Sequence, residues 1–137
     1  MLKRVQGGTT NVVLEQALAD LLSQGGYESR MRRLSALMQS RLQEARRLIR
    51  DHFPRGTRVS DPSVGYTLWV ELPGQLDSMA LFQRCMTEGI TFGPGSLFTA
   101  TDRFGHCLRL SFAGAWTDVE RRALARIGEL AKRMGNA

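Results

Sequence analysis

The sequence of 137 residues has few of the side chains that build metal centres or disulfide scaffolds. It contains two cysteines, Cys85 and Cys107, and two histidines, His52 and His106. Cys107 directly follows His106, but no other pair stands at the spacing of zinc ligands within a short motif. Two cysteines are too few for a disulfide framework and are typical of reduced thiols in an intracellular protein. We therefore expect no metal site and no disulfide.

Long apolar runs are also absent. Charged residues interrupt every apolar stretch well before the ~18 residues that a membrane-spanning helix needs. Residues 1–8 lack the apolar core of a signal peptide. They are predicted to be a flexible tail ahead of the first helix. The expected location is the cytoplasm, with no contact to a membrane.

Lysine is scarce although the chain is basic. Lys and Arg together number 19 against 13 Asp and Glu, which gives a net charge of +6, and Lys3 and Lys132 are the only lysines. Amine chemistry is therefore limited to two residues. The positive balance permits binding to nucleic acid without demonstrating it.

What the sequence does contain is a regular alternation of helical and strand patterns. Apolar periodicity predicts helices over 9–22, 27–53 and 78–88 and a last helix after Thr117. Strands are predicted over 57–60, 65–72, 90–92 and 106–112. The order α-α-β-β-α-β-β-α predicts one α+β domain over residues 9–137, a small, mainly antiparallel sheet covered by helices.

Apolar stripes predict which helix faces are buried. The long helix carries such a stripe from Tyr27 to Phe53, and its other faces are rich in arginine. Acidic residues interleave with those arginines, which favours a solvated basic surface over a nucleic-acid interface. Met86 and Val119 are predicted to be buried on the two later helices. Thr117 is predicted to cap the last helix, with Glu120 completing a capping box.

Arg109 is the first candidate binding residue. It lies mid-strand, on one face with Cys107 and Ser111, so it either meets solvent or lines a cleft. In a cleft, its guanidinium would be a bidentate receptor for a carboxylate. The run 93–95 (Gly-Pro-Gly) is either a tight turn or a close approach of backbone to a ligand. By themselves, these residues favour the solvent-facing arginine and the tight turn.

Several segments together resemble the fold-type I pyridoxal-phosphate (PLP) aminotransferases. The resemblance covers about residues 9–134. The matching segments are 17–27 (ALADLLSQGGY), 31–34 (MRRL), 65–73 (GYTLWVELP), 93–98 (GPGSLF), 103–104 (RF), 107–112 (CLRLSF) and Trp116.

The resemblance implies that the chain is a C-terminal small domain and a fragment of a longer protein. In that family the lysine that binds PLP lies in the large domain upstream, and neither Lys3 nor Lys132 matches it. The fragment alone is thus expected to be no enzyme and to bind no PLP covalently, whereas its parent is expected to contain PLP. The carboxylate-binding arginine of the family maps onto Arg109. The cleft is expected to be bordered by Gly93, Pro94 and Gly95.

Within the family, the chain most resembles the MocR branch of GntR transcription regulators, through Arg103, Phe104, Cys107 and Trp116. That resemblance implies a parent that joins a winged-helix DNA-binding domain to a PLP-dependent effector domain. Its partners would be the large domain of the same chain, an amino-acid effector, DNA through the N-terminal domain and a second copy in a homodimer. Two alternatives stay open: the small domain of a class I/II aminotransferase enzyme, and a stand-alone basic nucleic-acid-binding module.

Overall fold

The structure is a computed structural model that describes residues 12–23, 26–74 and 76–135. It divides into two compact units, one ending at Ala36 and the other beginning at Leu37. The predicted tail over 1–8 and the predicted helix start at residue 9 lie outside the described residues. None of the described helices is both long and apolar enough to cross a membrane.

The first unit consists of helix α1 (Val12–Ser23) and the first turns of helix α2 (Tyr27–His52). Both helices agree with the sequence prediction. The burial predicted for the apolar stripe of the long helix is wrong in this unit, where none of the described residues is buried. The apolar stripe of the two helices is exposed instead. Its exposed members are Leu14, Leu18, Leu21, Leu22, Tyr27, Met31 and Leu34.

The second unit contains a sheet of four antiparallel strands in the order β1-β2-β4-β3. The strands are β1 (Arg58–Val59), β2 (Thr67–Glu71), β3 (Gly93–Pro94) and β4 (Cys107–Ser111). The central pair is β2 and β4, with five residues in register. The chain reaches β4 from β3 through two short 3-10 turns, Gly95–Phe98 and Asp102–Phe104.

Three helices of this unit cover one face of the sheet: the rest of α2, α3 (Ser78–Met86) and α4 (Asp118–Gly135). Helix α2 ends just before Pro54, which disfavours helical backbone in the preceding residue, and Gly56 then takes a φ of 88°.

The predicted capping box of α4 is confirmed, because Thr117 Oγ1 accepts from the Val119 amide and the Glu120 carboxylate accepts from the Thr117 amide. The predicted α+β class and element order are therefore confirmed.

The hydrophobic core lies between that sheet face and the helices. Side chains of a strand alternate between its two faces, so every second residue of β2 and β4 points into the core. The helices contribute residues spaced three or four positions apart, which lie on the face toward the sheet. Its central members are Leu42, Ala45, Ile49, Leu68, Val70, Leu81, Cys85, Leu108, Leu110, Leu124 and Ile127. None of these three helices covers the other face of the sheet, which is called the outer face below.

Three further sequence predictions are wrong. The strand predicted over 90–92 forms at Gly93–Pro94 instead, because the Ile90 amide still bonds to the Cys85 carbonyl at the end of α3. Met86 is exposed because it follows the buried Cys85 by one residue, which rotates it off the core face. Val119 is exposed because α4 meets the core only from about Leu124 onward.

Candidate functional site

Arg109 lies at the centre of the outer face. On β4 it stands opposite Trp69 of β2 on one side and Gly93 of β3 on the other. Its strand neighbours Leu108 and Leu110 are buried in the core, whereas Arg109 itself is exposed. The alternation predicted from the sequence therefore places this guanidinium away from the core.

An aromatic ring supports the Arg109 side chain. The guanidinium carbon lies 4.2 Å from the centroid of the Phe98 ring, which is a cation–π distance. Phe98 meets the Trp69 ring edge to face at 6.0 Å between centroids, and Trp69 meets Phe104 in the same way at 5.3 Å. Arg109, Trp69, Phe98 and Phe104 are called the Arg109 surface below.

The absence of a side chain at Gly93 makes room for this arrangement. A Cβ atom there would lie 3.0 Å from two atoms of the Phe98 ring and 3.5 Å from the Arg109 Cβ. Gly93 thus borders the Arg109 surface, as the cleft prediction requires. Pro94 is buried opposite Leu108, and Gly95 is buried against the backbone of Phe104. A role for these three residues in lining a ligand cleft stays a prediction.

Arg109 has no carboxylate or other hydrogen-bond partner within the described ranges of the chain. Two other arginines of the second unit are held by carboxylates: Arg121 Nε lies 2.6 Å from Glu44 Oε1, and Arg126 Nε lies 2.8 Å from Glu88 Oε2. A permanently charged guanidinium with its N–H groups free can accept a carboxylate in bidentate geometry. The chemistry of the site therefore suits a carboxylate, and the binding of one by Arg109 stays a prediction.

Cys107, two residues before Arg109 on β4, is a weak candidate for a nucleophile. Cys107 is buried, and burial together with the nearby charge of Glu71 raises the pKa of its thiol. A hydrogen bond with Trp69 lowers that pKa, but the effect of burial is larger. A buried thiol with a raised pKa carries little of the reactive thiolate.

No lysine among the described residues belongs to the Arg109 surface. Lys132 is on the last helix, where its Nζ donates to the Asp51 carbonyl at 3.3 Å. Lys3 lies outside the described residues. The Arg109 surface thus offers a carboxylate receptor without an amine that could form an imine with PLP.

Sequence reasoning missed the aromatic part of this site. In the sequence, Trp69 is one aromatic residue of the predicted strand 65–72, and Phe98 lies outside every predicted helix and strand. Pairing the predicted strands 65–72 and 106–112 would have indicated that Trp69 lies opposite Arg109. Phe98 and Phe104 gave no such signal, because the two 3-10 turns that carry them show no periodicity.

Comparison with known proteins identifies relatives of two kinds. No family model matches the chain. Two Escherichia coli proteins, the HTH-type transcriptional regulators YdcR and YjiR, are 30% and 31% identical to it over 89% and 84% of its length. A 2-aminoadipate transaminase of Thermus thermophilus is 30% identical over 91%. The chain spans only 26%, 24% and 30% of these three proteins, respectively.

Solved structures agree with these relatives. The α-aminoadipate aminotransferase of Thermus thermophilus, solved in complex with N-(5'-phosphopyridoxyl)-L-leucine, matches 98% of the chain with a TM-score of 0.80 and 26% identity, over 34% of its own length. A multiple-substrate aminotransferase of Thermococcus profundus matches 83% with a TM-score of 0.73 and 21% identity, which shows the shared fold alone. The resemblance to aminotransferases and to aminotransferase-like regulators is confirmed.

Proposed function

We propose that this chain, a relative of aminotransferases and of HTH-type transcriptional regulators, is the C-terminal part of the PLP-dependent effector domain of a MocR/GntR-type regulator. In this proposal Arg109 binds the carboxylate of an amino-acid effector. The observation that carries it is the exposed Arg109 guanidinium, which is supported by Phe98 and has no acidic partner in the described part of the chain. A charge-assisted, bidentate pair is the strongest contact such a side chain can offer.

The cofactor belongs to the part of the parent that lies outside this chain. PLP is the electron sink of aminotransferase chemistry, and it requires a lysine that the Arg109 surface does not have. The contribution of this chain is to hold and orient the carboxylate. Phe98 supports the guanidinium from one side, and the Trp69 ring in turn packs against Phe98.

The first unit supports the presence of a further domain in the parent. Its apolar residues include Leu18, Leu22 and Leu34, which are 57%, 54% and 47% exposed. A stripe of this length is seldom left in water by a soluble protein, so we assign it to the docking of the large PLP-binding domain. The other partners in the proposal are DNA, bound through an N-terminal domain, and a second copy of the parent in a homodimer.

An aminotransferase enzyme is the second candidate for the parent. It is favoured by the Thermus thermophilus transaminase, which is as similar to the chain as the regulators are. Arg109 would bind the substrate carboxylate in either protein. The two candidates differ in whether a winged helix precedes the large domain and whether the parent turns its ligand over.

The test uses the complete reading frame that contains this chain. Reading the coding DNA upstream of Met1 shows whether a lysine-bearing core and a winged helix are present. The encoded protein, loaded with PLP, is then titrated with amino acids while the PLP absorbance is followed. R109Q is expected to weaken binding roughly 10- to 100-fold, because it removes a charged hydrogen-bonding partner.

Two controls make this test specific. R122Q removes an equal charge from an exposed arginine of α4 and should leave ligand affinity unchanged. R109K retains the charge but not the fork geometry, so an intermediate affinity is expected. Unchanged binding in R109Q would refute the role of Arg109. Transamination of an amino acid by the 137-residue chain with PLP alone would refute the proposal that the chain holds only part of the site.

A further inference from the structure

A groove lined with positive charge lies away from the Arg109 surface. It consists of two adjoining depressions that share Pro54 and Arg55 in their linings: one lies between the last turns of α2 and the segment 54–59, and the other reaches the end of α4. Its cationic residues are Arg46, Arg47, Arg50, Arg55 and Lys132. None of the described residues that line it is acidic. It is called the basic groove below.

The cations of the basic groove are only partly neutralised. Arg46 pairs with Asp61, and Arg50 Nε lies 3.7 Å from Asp51 Oδ1. Arg47 and Arg55 have no ion pair or hydrogen bond within the described ranges. Counting Asp51, Asp61 and Glu44, whose carboxylate interacts electrostatically with Arg47, against the five cations, 5 − 3 leaves a surplus of two positive charges. A local surplus of this kind attracts a multiply charged anion.

The lining is suited to phosphate groups. Four of the five cations are arginines, whose planar fork matches phosphate oxygens bidentately. Because the five cations are spread over two adjoining depressions, they suit a chain of phosphates better than a single small anion. No aromatic side chain stands among its described lining residues, so the groove lacks the stacking platform that single-stranded nucleic acids need.

We propose that the basic groove binds the phosphodiester backbone of duplex DNA without reading its sequence. Contacts of this type position a protein on the duplex and do not depend on base identity. In a regulator they would add a second DNA contact to that of the N-terminal domain. The proposal does not depend on Arg109 or on its ligand.

The test measures the binding of the 137-residue chain to a fluorescein-labelled duplex of about 20 base pairs by anisotropy, at salt concentrations from 50 to 200 mM. Each phosphate contact contributes about 0.9 to the slope of log Kobs against log salt. The triple variant R47Q/R50Q/R55Q is expected to reduce that slope by about 2 to 3 and to weaken binding at 50 mM about tenfold or more. Duplexes of unrelated sequence are expected to bind equally well.

The matched control is R84Q/R122Q/R133Q, which removes the same charge from exposed arginines outside the basic groove. It is expected to keep most of the wild-type slope. Circular dichroism and the melting midpoint verify that both triple variants are folded. Should the groove variant be unfolded, R47Q and R55Q are measured singly, because both side chains are exposed and lack an ion pair among the described residues.

Four outcomes would overturn the proposal. They are no binding at 50 mM salt, an equal loss in both triple variants, tighter binding of a single strand of the same length, and competition by polyglutamate as effective as that by unlabelled duplex at equal charge. The last of these would identify an acidic polypeptide as the partner. R109Q is expected to bind DNA like the wild type, so a failure here is separate from a failure of the function proposed for Arg109.

Discussion

The guanidinium carbon of Arg109 lies 4.2 Å above the ring of Phe98, so an aromatic face supports a cation that has no acidic partner in the described part of the chain. Arg121 and Arg126, by contrast, are held by Glu44 and Glu88. A ring can orient a guanidinium without occupying its N–H groups in the plane of the fork. Arg109 is thereby positioned but left free to bind.

The first prediction tests this support. F98L removes the aromatic face but retains an apolar side chain, and Phe98 is 40% exposed, so the cost in stability should be under about 1 kcal/mol. Amino-acid affinity of the PLP-loaded parent is expected to fall several-fold, because Arg109 loses its preferred position. Absorbance titration measures the affinity and urea unfolding measures the stability. F98Y, which keeps the ring, should bind normally, and equal affinity in F98L would show that Phe98 does not position Arg109.

The second prediction compares two glycines of the 93–95 run. A Cβ at Gly95 would lie 2.2 Å from the Phe104 carbonyl oxygen and 2.8 Å from that of Cys107, and backbone cannot move aside cheaply. G95A is expected to lower the free energy of unfolding by about 1–3 kcal/mol or more. A Cβ at Gly93 would meet side-chain atoms, the Phe98 ring at 3.0 Å and the Arg109 Cβ at 3.5 Å, so G93A should cost less.

Urea unfolding of the chain measures both effects. G114A is the control, because a Cβ at Gly114 meets no atom within 4 Å. G93A should additionally disturb the stacking of Phe98 on Arg109 and weaken ligand binding in the parent. Equal stability of G95A and G114A would contradict the close backbone packing at Gly95.

Local patterns predicted the elements better than they predicted the site. Residues of a strand alternate between its two faces, so the sequence alone predicted that Arg109 lies on the opposite face from Leu108 and Leu110. The position of Phe98 depends instead on two 3-10 turns between β3 and β4, whose course is determined by contacts such as that of Gly95 with the Phe104 backbone. Such long-range packing has no periodic signature. Val119 shows the same limit, because an apolar position on a helix is buried only where the helix meets the core.

The third prediction concerns thiol reactivity. Cys85 is buried, and burial with the nearby Glu88 raises the pKa of its thiol to about 11. At pH 8 only about one molecule in a thousand would carry the thiolate at Cys85. We expect the folded chain to react slowly with Ellman's reagent at pH 8 and both cysteines to react rapidly in 8 M urea. C85A and C107A assign the two reactions, and rapid labelling of Cys85 in the folded chain would contradict its burial.

The fourth prediction concerns stability in acid. Glu44 accepts hydrogen bonds from Arg121 and from the Trp116 indole, and these contacts hold the pKa of its carboxyl below the ordinary value. A carboxyl with a lowered pKa in the folded state stabilises the fold above its unfolded pKa of about 4.3, and this contribution is lost as the pH falls through the folded pKa. Because the Glu44 side chain is 40% exposed, we expect it to amount to under about 1 kcal/mol.

E44Q isolates the charge, because glutamine still offers an oxygen to Trp116 and Arg121. At pH 7 E44Q should unfold at lower urea than the wild type, and the difference should shrink as the pH is lowered from 5 to 2.5. E28Q, which breaks an exposed ion pair with Arg32, is the control and should change stability by no more than about 0.5 kcal/mol. A gap between E44Q and wild type that stayed constant down to pH 2.5 would show that the charge of Glu44 is not what stabilises this contact.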